Sequence, residues 1–590
     1  MSFNQYFQSE MLALRELGRE FTQKNPALAP FLGTPGRDPD VERILEGFAF
    51  LSGRLRQKLD DEIPEFTHSL FSLLWPNYLR AVPSCSIIAY QPEDKMSALT
   101  TVSRGTIVES VAVQGTRCRF RTVYETEILP VRIAGMRILE RNGEASIALS
   151  FETLGIPLEN IPLKRLRFYL TGEPAIAHTL YFTLVNRVKE VRIVLRDEQM
   201  EEHVTACLRP KSLQPVGFGE DDGLFPYPAN TFPGYRILQE YFFFPEKFLF
   251  VELADLEQGI NQSILQSFHK AAGFEIHFAL KELPEFYASF RVDNWRLFCT
   301  PVVNLFPMDA SPLTLNQRQT EYRIVPEPRL PSHYAVYSVD SVGTWGVGNR
   351  NDRQYLPFES FGHETDEGGS TAYYRLRISP SRKDDGTETY ISFVQTTNNA
   401  VIPTTETISF NLTCTNRMLP RELRIGDICI HAGDSPDAVT FSNITPVVPS
   451  CDPPLEGDIF WRLLSNMSLN YISLTDVHAL RTVLRVYDFR ALHDKSRARI
   501  LDKTMNGIVR IRCSETDRIF NGLPVRGAQI RLVLDERAFI CEGAMYLFGS
   551  ILNEFFALYA TVNSFHQLII EEASGEEYRW PARLGRTRRI

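Results

Sequence analysis

The residue types best suited to chemistry lie scattered along this chain. A phosphate-binding loop needs glycines followed by Lys-Ser or Lys-Thr, so that backbone donors and an ammonium surround the phosphates, and no such string occurs. Gly346-Val347-Gly348 lacks the third glycine and the strand-turn-helix context, and reads as a loop. Neither a G-x-S-x-G nucleophile elbow nor H-E-x-x-H is present, and His363-Glu364 has no second histidine one helical turn on with which to hold zinc. The tightest Cys/His coincidence, Cys429 and His431, falls on one face of a strand, but two ligands do not make a metal site. The acidic pairs Asp221-Asp222 and Asp384-Asp385 lie beside glycine, where turn propensity accounts for them. No catalytic, cofactor-binding or metal-ligating residue is therefore expected. One route to catalysis stays open: carboxylates that meet only on folding, as glycosidase pairs do.

The nine cysteines stand singly, without a CxxC, which fits reduced and largely buried thiols in a cytoplasm better than a disulfide framework. Lys plus Arg number 63 against 72 Asp plus Glu, and the net charge of -9 opposes attraction to phosphate backbones or anionic lipid. Nucleic acid is thus not an expected partner. A local exception is the tail, where Arg579, Arg583, Arg586, Arg588 and Arg589 form either a solvated end or a docking patch. Met1 to Met11 has neither the basic start nor the apolar run of a signal peptide, so secretion by that route is not expected. The most apolar stretch, Tyr241 to Leu256, is broken by Pro245, Glu246 and Lys247, well short of the roughly 20 residues of a membrane span.

These residues must be positioned by elements that the hydrophobic pattern reveals. With 590 residues and 40 Phe the chain has ample apolar surface for about three or four globular domains. Phe7, Met11, Leu14 and Phe21 fall three, four or seven apart, gathering on one helical face. Pro26 to Gly36 interrupts that helix, and Asp38-Pro39-Asp40 supplies the cap, first-turn proline and first-turn acid of a second. Its stripe is Val41, Ile44, Leu45, Phe48, Leu51, Leu55 and Leu59; a third helix is expected from Pro64, leading to Trp75-Pro76. From about Cys85 to Ile444 the period becomes two, as in Ala145/Ile147/Leu149/Phe151, Val191/Ile193/Leu195, Phe274/Ile276/Phe278/Leu280 and Ile408/Phe410/Leu412/Cys414. After the break at Cys451-Asp452-Pro453-Pro454, Thr475 can cap a helix carrying Val477, Leu480, Leu484 and Tyr487. Short strands are expected near Ile508 to Cys513 and Ile530 to Leu534, then a helix with Phe548, Ile551, Phe555, Leu558 and Val562 at three-four spacing. The expected fold is α+β and multidomain: a helical region over 1–80, strand-rich domains with antiparallel sheets over 81–300 and 301–450, and a mixed helix and strand domain over 451–590.

Several long strings resemble one family. Arg37-Asp38-Pro39-Asp40-Val41-Glu42-Arg43-Ile44-Leu45-Glu46-Gly47-Phe48 looks like the amino-terminal signature of TssF (ImpG/VasA) proteins, and Leu74-Trp75-Pro76-Asn77-Tyr78 like its close, with Asn77 in place of the usual histidine. Pro233-Gly234-Tyr235-Arg236-Ile237-Leu238-Gln239-Glu240-Tyr241-Phe242 and Pro245-Glu246-Lys247-Phe248 form the strongest match. Cys299-Thr300-Pro301-Val302-Val303-Asn304-Leu305-Phe306, Cys414-Thr415-Asn416-Arg417, Trp461-Arg462-Leu463-Leu464 and Phe555-Phe556-Ala557-Leu558-Tyr559 follow in order, so the likeness runs nearly end to end.

The resemblance implies a cytoplasmic, non-enzymatic subunit of a type VI secretion baseplate docked at the inner membrane. It also implies two copies per wedge bound to TssG, with TssK, TssE and the central VgrG spike nearby and no cofactor. Under that reading, the face of Phe7, Met11 and Leu14 and the face of Phe548, Ile551 and Phe555 are expected to contact neighbouring subunits, with an internal core as the competing assignment. Pro233-Gly234 is expected to make a tight turn, after which Tyr235, Ile237, Tyr241, Phe242 and Phe244 pack between domains. Arg236 and Glu240, four apart, pair with each other or with nearby loops. A strand-rich carbohydrate-active enzyme and a stand-alone binding module remain the alternatives.

Overall fold

The computed structural model describes residues 39–60, 71–455 and 476–585, apart from short stretches inside the last two, together with part of the first 21 residues. Expectations at Asp38, Pro64, Trp461 and Thr475 lie outside the described residues, as do Gly346-Val347-Gly348, His363-Glu364 and Asp384-Asp385.

The alternating segments fold as strands where the period of two places them. A six-stranded antiparallel sheet runs in the order Ile428–His431, Ile107–Val113, Thr116–Thr122, Cys299–Val303, Cys85–Pro92 and Val439–Asn443. Its two outer strands come together through Asn443. That side chain's Oδ1 accepts from Gly426 N at 3.0 Å and Ile428 N at 2.9 Å, curling the sheet toward a barrel and satisfying its edges. A five-stranded antiparallel sheet carries Val131–Arg141, Glu144–Thr153, Gly273–Leu280, Val188–Arg196 and Glu202–Leu208, with Phe151 stacked on Phe274 at 4.7 Å. A four-stranded sheet built around Leu166–Leu170 and Phe250–Leu253 lies beside it, and a single apolar core spans these sheets and continues into the carboxy-terminal region.

Residues 306–415 form an eight-stranded sheet of their own around a second core that includes Phe306, Val342, Tyr374, Ile391 and Phe410. Strands Ile428–His431 and Val439–Asn443 then return to the first sheet, so packing changes near 415 and not at the expected boundary of 450.

The carboxy-terminal region combines helices Val477–Arg485, Phe489–His493, Lys495–Asn506 and Glu542–Phe556 with a mixed sheet. Asp476 caps the first of these, accepting from His478 N. The two strands expected here are much longer, Ile508–Phe520 and Leu523–Leu534, and the second runs parallel to Phe565–Glu572 with the 542–556 helix as crossover. Their outer halves are exposed on both faces, so no alternation marks them. Gly522, between the two strands at φ 83°, is the turn residue of the hairpin. The chain is thus a strand-rich, multidomain α+β protein, its sheets mainly antiparallel.

Candidate assembly surface and domain junction

The residues singled out around Pro233 meet aromatic side chains from distant parts of the chain. Proline's fixed φ and missing donor suit the first position of a helix, and Pro233–Phe243 is helical where a tight turn was expected. Tyr235 lies 5.6 Å from Trp75, 5.9 Å from Tyr487 in a stacked pair, and 6.4 Å from Phe555. Tyr78 meets Phe489 edge-on at 4.8 Å, and Tyr241 lies 5.9 Å from Phe548. The amino-terminal close, the strand-rich body and the carboxy-terminal helices therefore share one aromatic cluster, the packing role expected for this motif.

Charges are buried in the same place. Lys247 and Glu240 are both fully buried and bonded to each other, and Glu240 Oε1 also accepts from Leu224 N at 2.8 Å. Burial pushes the Lys247 ammonium below its usual range, and Glu240 works against that shift. Arg236 turns instead to the loop carbonyls of Glu220 at 2.7 Å and Gly219 at 2.6 Å, so Arg236 and Glu240 serve different partners. From the carboxy-terminal helices, Arg490 donates to Phe243 O at 3.0 Å and Arg497 to Phe242 O at 3.1 Å. Two guanidiniums thereby satisfy carbonyls at the negative end of the 233–243 helix and fasten one region to the other. Burial raises the Glu246 and Asp488 carboxyls beside them, opposed by Arg497 and Arg490.

Most charged groups of this arrangement bond to one another or to backbone carbonyls, while Trp75 Nε1, Arg236 Nε, Glu246 Oε2 and Arg497 Nε are buried with no hydrogen-bond partner among the described residues. Asp222 likewise accepts from Gly217 N at 3.1 Å and Gly219 N at 3.0 Å, as a turn acid does. A surface depression lined by Glu125, Glu127, Arg165, Arg167 and Glu252 holds ion pairs between its own walls, Arg165–Glu127 at 2.7 Å and Arg167–Glu252 at 2.8 Å. Among the described residues no three His, Cys, Asp or Glu side chains converge as a metal site, and no helix is long and apolar enough to cross a membrane. Cys429 is exposed, at a bulge between Ile428 and Ile430, and His431 pairs with Val108 and is half-buried against Phe441. In the basic tail, Arg579 pairs with Glu577 and Arg583 with Glu554.

The expected partner-facing residues require correction. Phe548, Ile551 and Phe555 are all 0% exposed, enclosed in the chain's own core by Tyr241, Tyr235 and Phe539, so they offer no surface to a neighbour. Their strict spacing marked a buried helix, because the 542–556 helix is covered on several sides as a crossover. In the amino-terminal helical segment Met11 is buried and Phe7 and Leu14 are half-buried; the residues turned outward are Leu12, Leu17 and Phe21. The Pro39–Asp60 helix is the clearer case. Ala49 and Gly53, one turn apart, are buried, whereas Ile44, Phe48 and Leu51 are 71%, 58% and 68% exposed on a common face. Among the described residues of this helix, the small Ala49 and Gly53 are buried and the large Ile44, Phe48, Phe50 and Leu51 are exposed. The stripe itself was visible in the sequence; its outward direction was not.

Comparison with known proteins identifies the family. The family model described as "Type VI secretion system, TssF" matches residues 1–587. "Type VI secretion system component TssF1" of Pseudomonas aeruginosa is 28% identical, the alignment covering 98% of each chain. A chain in the cryo-electron microscopy structure of the type VI secretion system TssK-TssF-TssG baseplate subcomplex is 31% identical with a TM-score of 0.77, over 93% of this chain and 99% of that one. A chain of "the baseplate complex from the type VI secretion system" is 27% identical with a TM-score of 0.64, over the whole of both. The protein belongs to the TssF family of type VI secretion system components.

Proposed function

We propose that this chain is a structural, non-enzymatic wedge subunit of a type VI secretion baseplate. It works in the cytoplasm at the inner-membrane-docked platform from which the contractile sheath grows. Its partners in this reading are TssG, a second copy of the same chain, TssK and TssE, arranged around the VgrG spike. The observation that carries the reading is the outward apolar face of Ile44, Phe48 and Leu51 in a chain that follows a member of a TssK-TssF-TssG subcomplex over nearly its whole length. Large apolar side chains at adjoining positions are costly to leave in water. Each gains about 1.5–3 kcal/mol when fully buried, which a helix of a partner subunit supplies.

Co-expression with a TssG-like protein tests this. The expected product is a complex holding more than one copy of this chain per TssG. A chain that stays monomeric beside TssG, or that turns over a carbohydrate substrate, would favour the enzyme or binding-module reading instead.

A further inference from the structure

The two segments that flank residues 306–415 are joined by a reciprocal pair of buried asparagines. Asn304 Nδ2 donates to Asn416 Oδ1 at 2.9 Å, and Asn416 N donates back to Asn304 Oδ1 at 2.7 Å. Both also grip the first sheet: Asn304 Nδ2 donates to Arg119 O at 2.7 Å, Arg119 N donates to Asn416 Oδ1 at 3.0 Å, and Asn304 N donates to Ser84 O at 2.8 Å. Immediately beyond the clasp the paired strands of the second sheet begin, with Phe306 opposite Cys414. The backbone changes direction here on each side. Leu305 N bonds back to Val303 O at 2.8 Å, and Arg417 adopts a left-handed φ of 50°.

We propose that residues 306–415 are a self-contained module inserted into the body, with its orientation set by the Asn304–Asn416 clasp. Three observations converge. Every strand of the eight-stranded sheet comes from 306–415, and so does every buried residue of the second core. The module leaves and re-enters the body through adjacent strands, so its removal closes with a short turn. The named contacts across the seam are mostly polar: the Arg80 guanidinium over the Tyr337 ring at 5.1 Å, Arg119 over Phe306 at 5.7 Å, Thr116 Oγ1 with His333 Nδ1 at 2.7 Å, and Arg417 Nη2 to Thr387 O at 3.3 Å. Apolar packing across it involves Ile107, Tyr337 and Ile378. A seam of this kind permits one domain to move against the other, and the buried asparagine pair is what resists that motion.

Two variants, one lacking the module and one full-length, test the proposal by hydrogen exchange with mass spectrometry. In the first, a short glycine turn replaces 306–415. The strands Cys85–Pro92, Thr116–Thr122 and Cys299–Val303 are expected to keep their protection, and their loss would overturn the claim that the module is separable. The second variant is Asn304→Ala, which leaves the buried Asn416 N–H without its acceptor. Exchange at Asn416 and Arg119 is expected to speed up by about tenfold or more, while strands Ala335–Thr344 and Glu406–Thr415 stay protected. Exchange that rises in both cores together, or nowhere, would show that the clasp does not set the module's orientation.

Discussion

Helices Pro39–Asp60 and Glu542–Phe556 carry the same kind of sequence stripe and meet opposite fates. In the first, Ile44, Phe48 and Leu51 face outward while Ala49 and Gly53 face the chain. In the second, Phe548, Ile551 and Phe555 are wholly enclosed, and even its small residues are tightly packed: a Cβ on Gly543 would sit 2.1 Å from His178 O. A three-four pattern therefore states that a face will be buried, and leaves open whether the covering comes from the same chain or another. Small residues on the inward side of an outward stripe, as at Ala49 and Gly53, fit the second case, which is the one proposed for the 39–60 helix.

The largest expected difference between the two helices follows from placing a charge on each. Phe548→Asp buries a carboxylate with no partner and leaves a cavity, a loss of more than about 4 kcal/mol that prevents soluble expression of the chain alone. Phe48→Asp, on a side chain more than half exposed, changes the unfolding free energy by less than about 0.5 kcal/mol, as urea titration of the lone chain will show.

Next in size is the buried ion pair that holds the junction beneath the second helix. Lys247→Met strands the Glu240 carboxylate in the core and is expected to cost about 3–5 kcal/mol. Adding Glu240→Gln restores much of that loss, because the uncompensated charge is gone. Equal stability of the single and double variants in urea titration would show that the pair is not the source of the cost.

A smaller effect distinguishes the enclosed region by pH. Burial, with Arg583 adding to it, holds the His566 imidazole at about 4 against an ordinary value of 6.5, while its bond to Asn553 O opposes the shift. The unfolded chain takes the proton first, so this contribution is fully present above about 6.5 and is lost as pH falls toward 4. Between pH 7 and 5 the loss is about 2 kcal/mol, and His566→Gln is expected to flatten that part of the stability profile.

The fold was legible in the sequence wherever one face of an element is wet. The strands Glu144–Thr153, Val188–Arg196 and Glu406–Thr415 lie at the alternating segments and the 39–60 helix lies where its stripe was expected, while Gly273–Leu280 followed its alternation although it is buried almost throughout. Legibility failed where both faces share one environment. The outer parts of the 508–534 hairpin are exposed on both sides, and the 542–556 helix, expected as a helix, is covered by its own chain on most of its circumference, which its stripe did not reveal. The motifs were legible as strings, and for the Pro233 motif the packing between domains was legible too; which regions meet there was not. Pro233 to Phe242 proved to be the junction of three regions, and Asn304 and Asn416, 112 residues apart, proved to be one clasp. Pairing across such a separation depends on which strands become neighbours, which no local pattern encodes. Direction was the other missing quantity, as the corrected roles of Phe548, Met11 and Ile44 show.

The most direct measurement pairs stability with capture in one variant, Ile44→Asp/Phe48→Asp/Leu51→Asp. The urea midpoint of the lone chain is expected to match that of the unaltered protein, and pull-down of a co-expressed TssG-like subunit is expected to be lost. A lower midpoint with capture intact would mean that this helix closes the chain's own core, contradicting the assignment of its outward face to a partner.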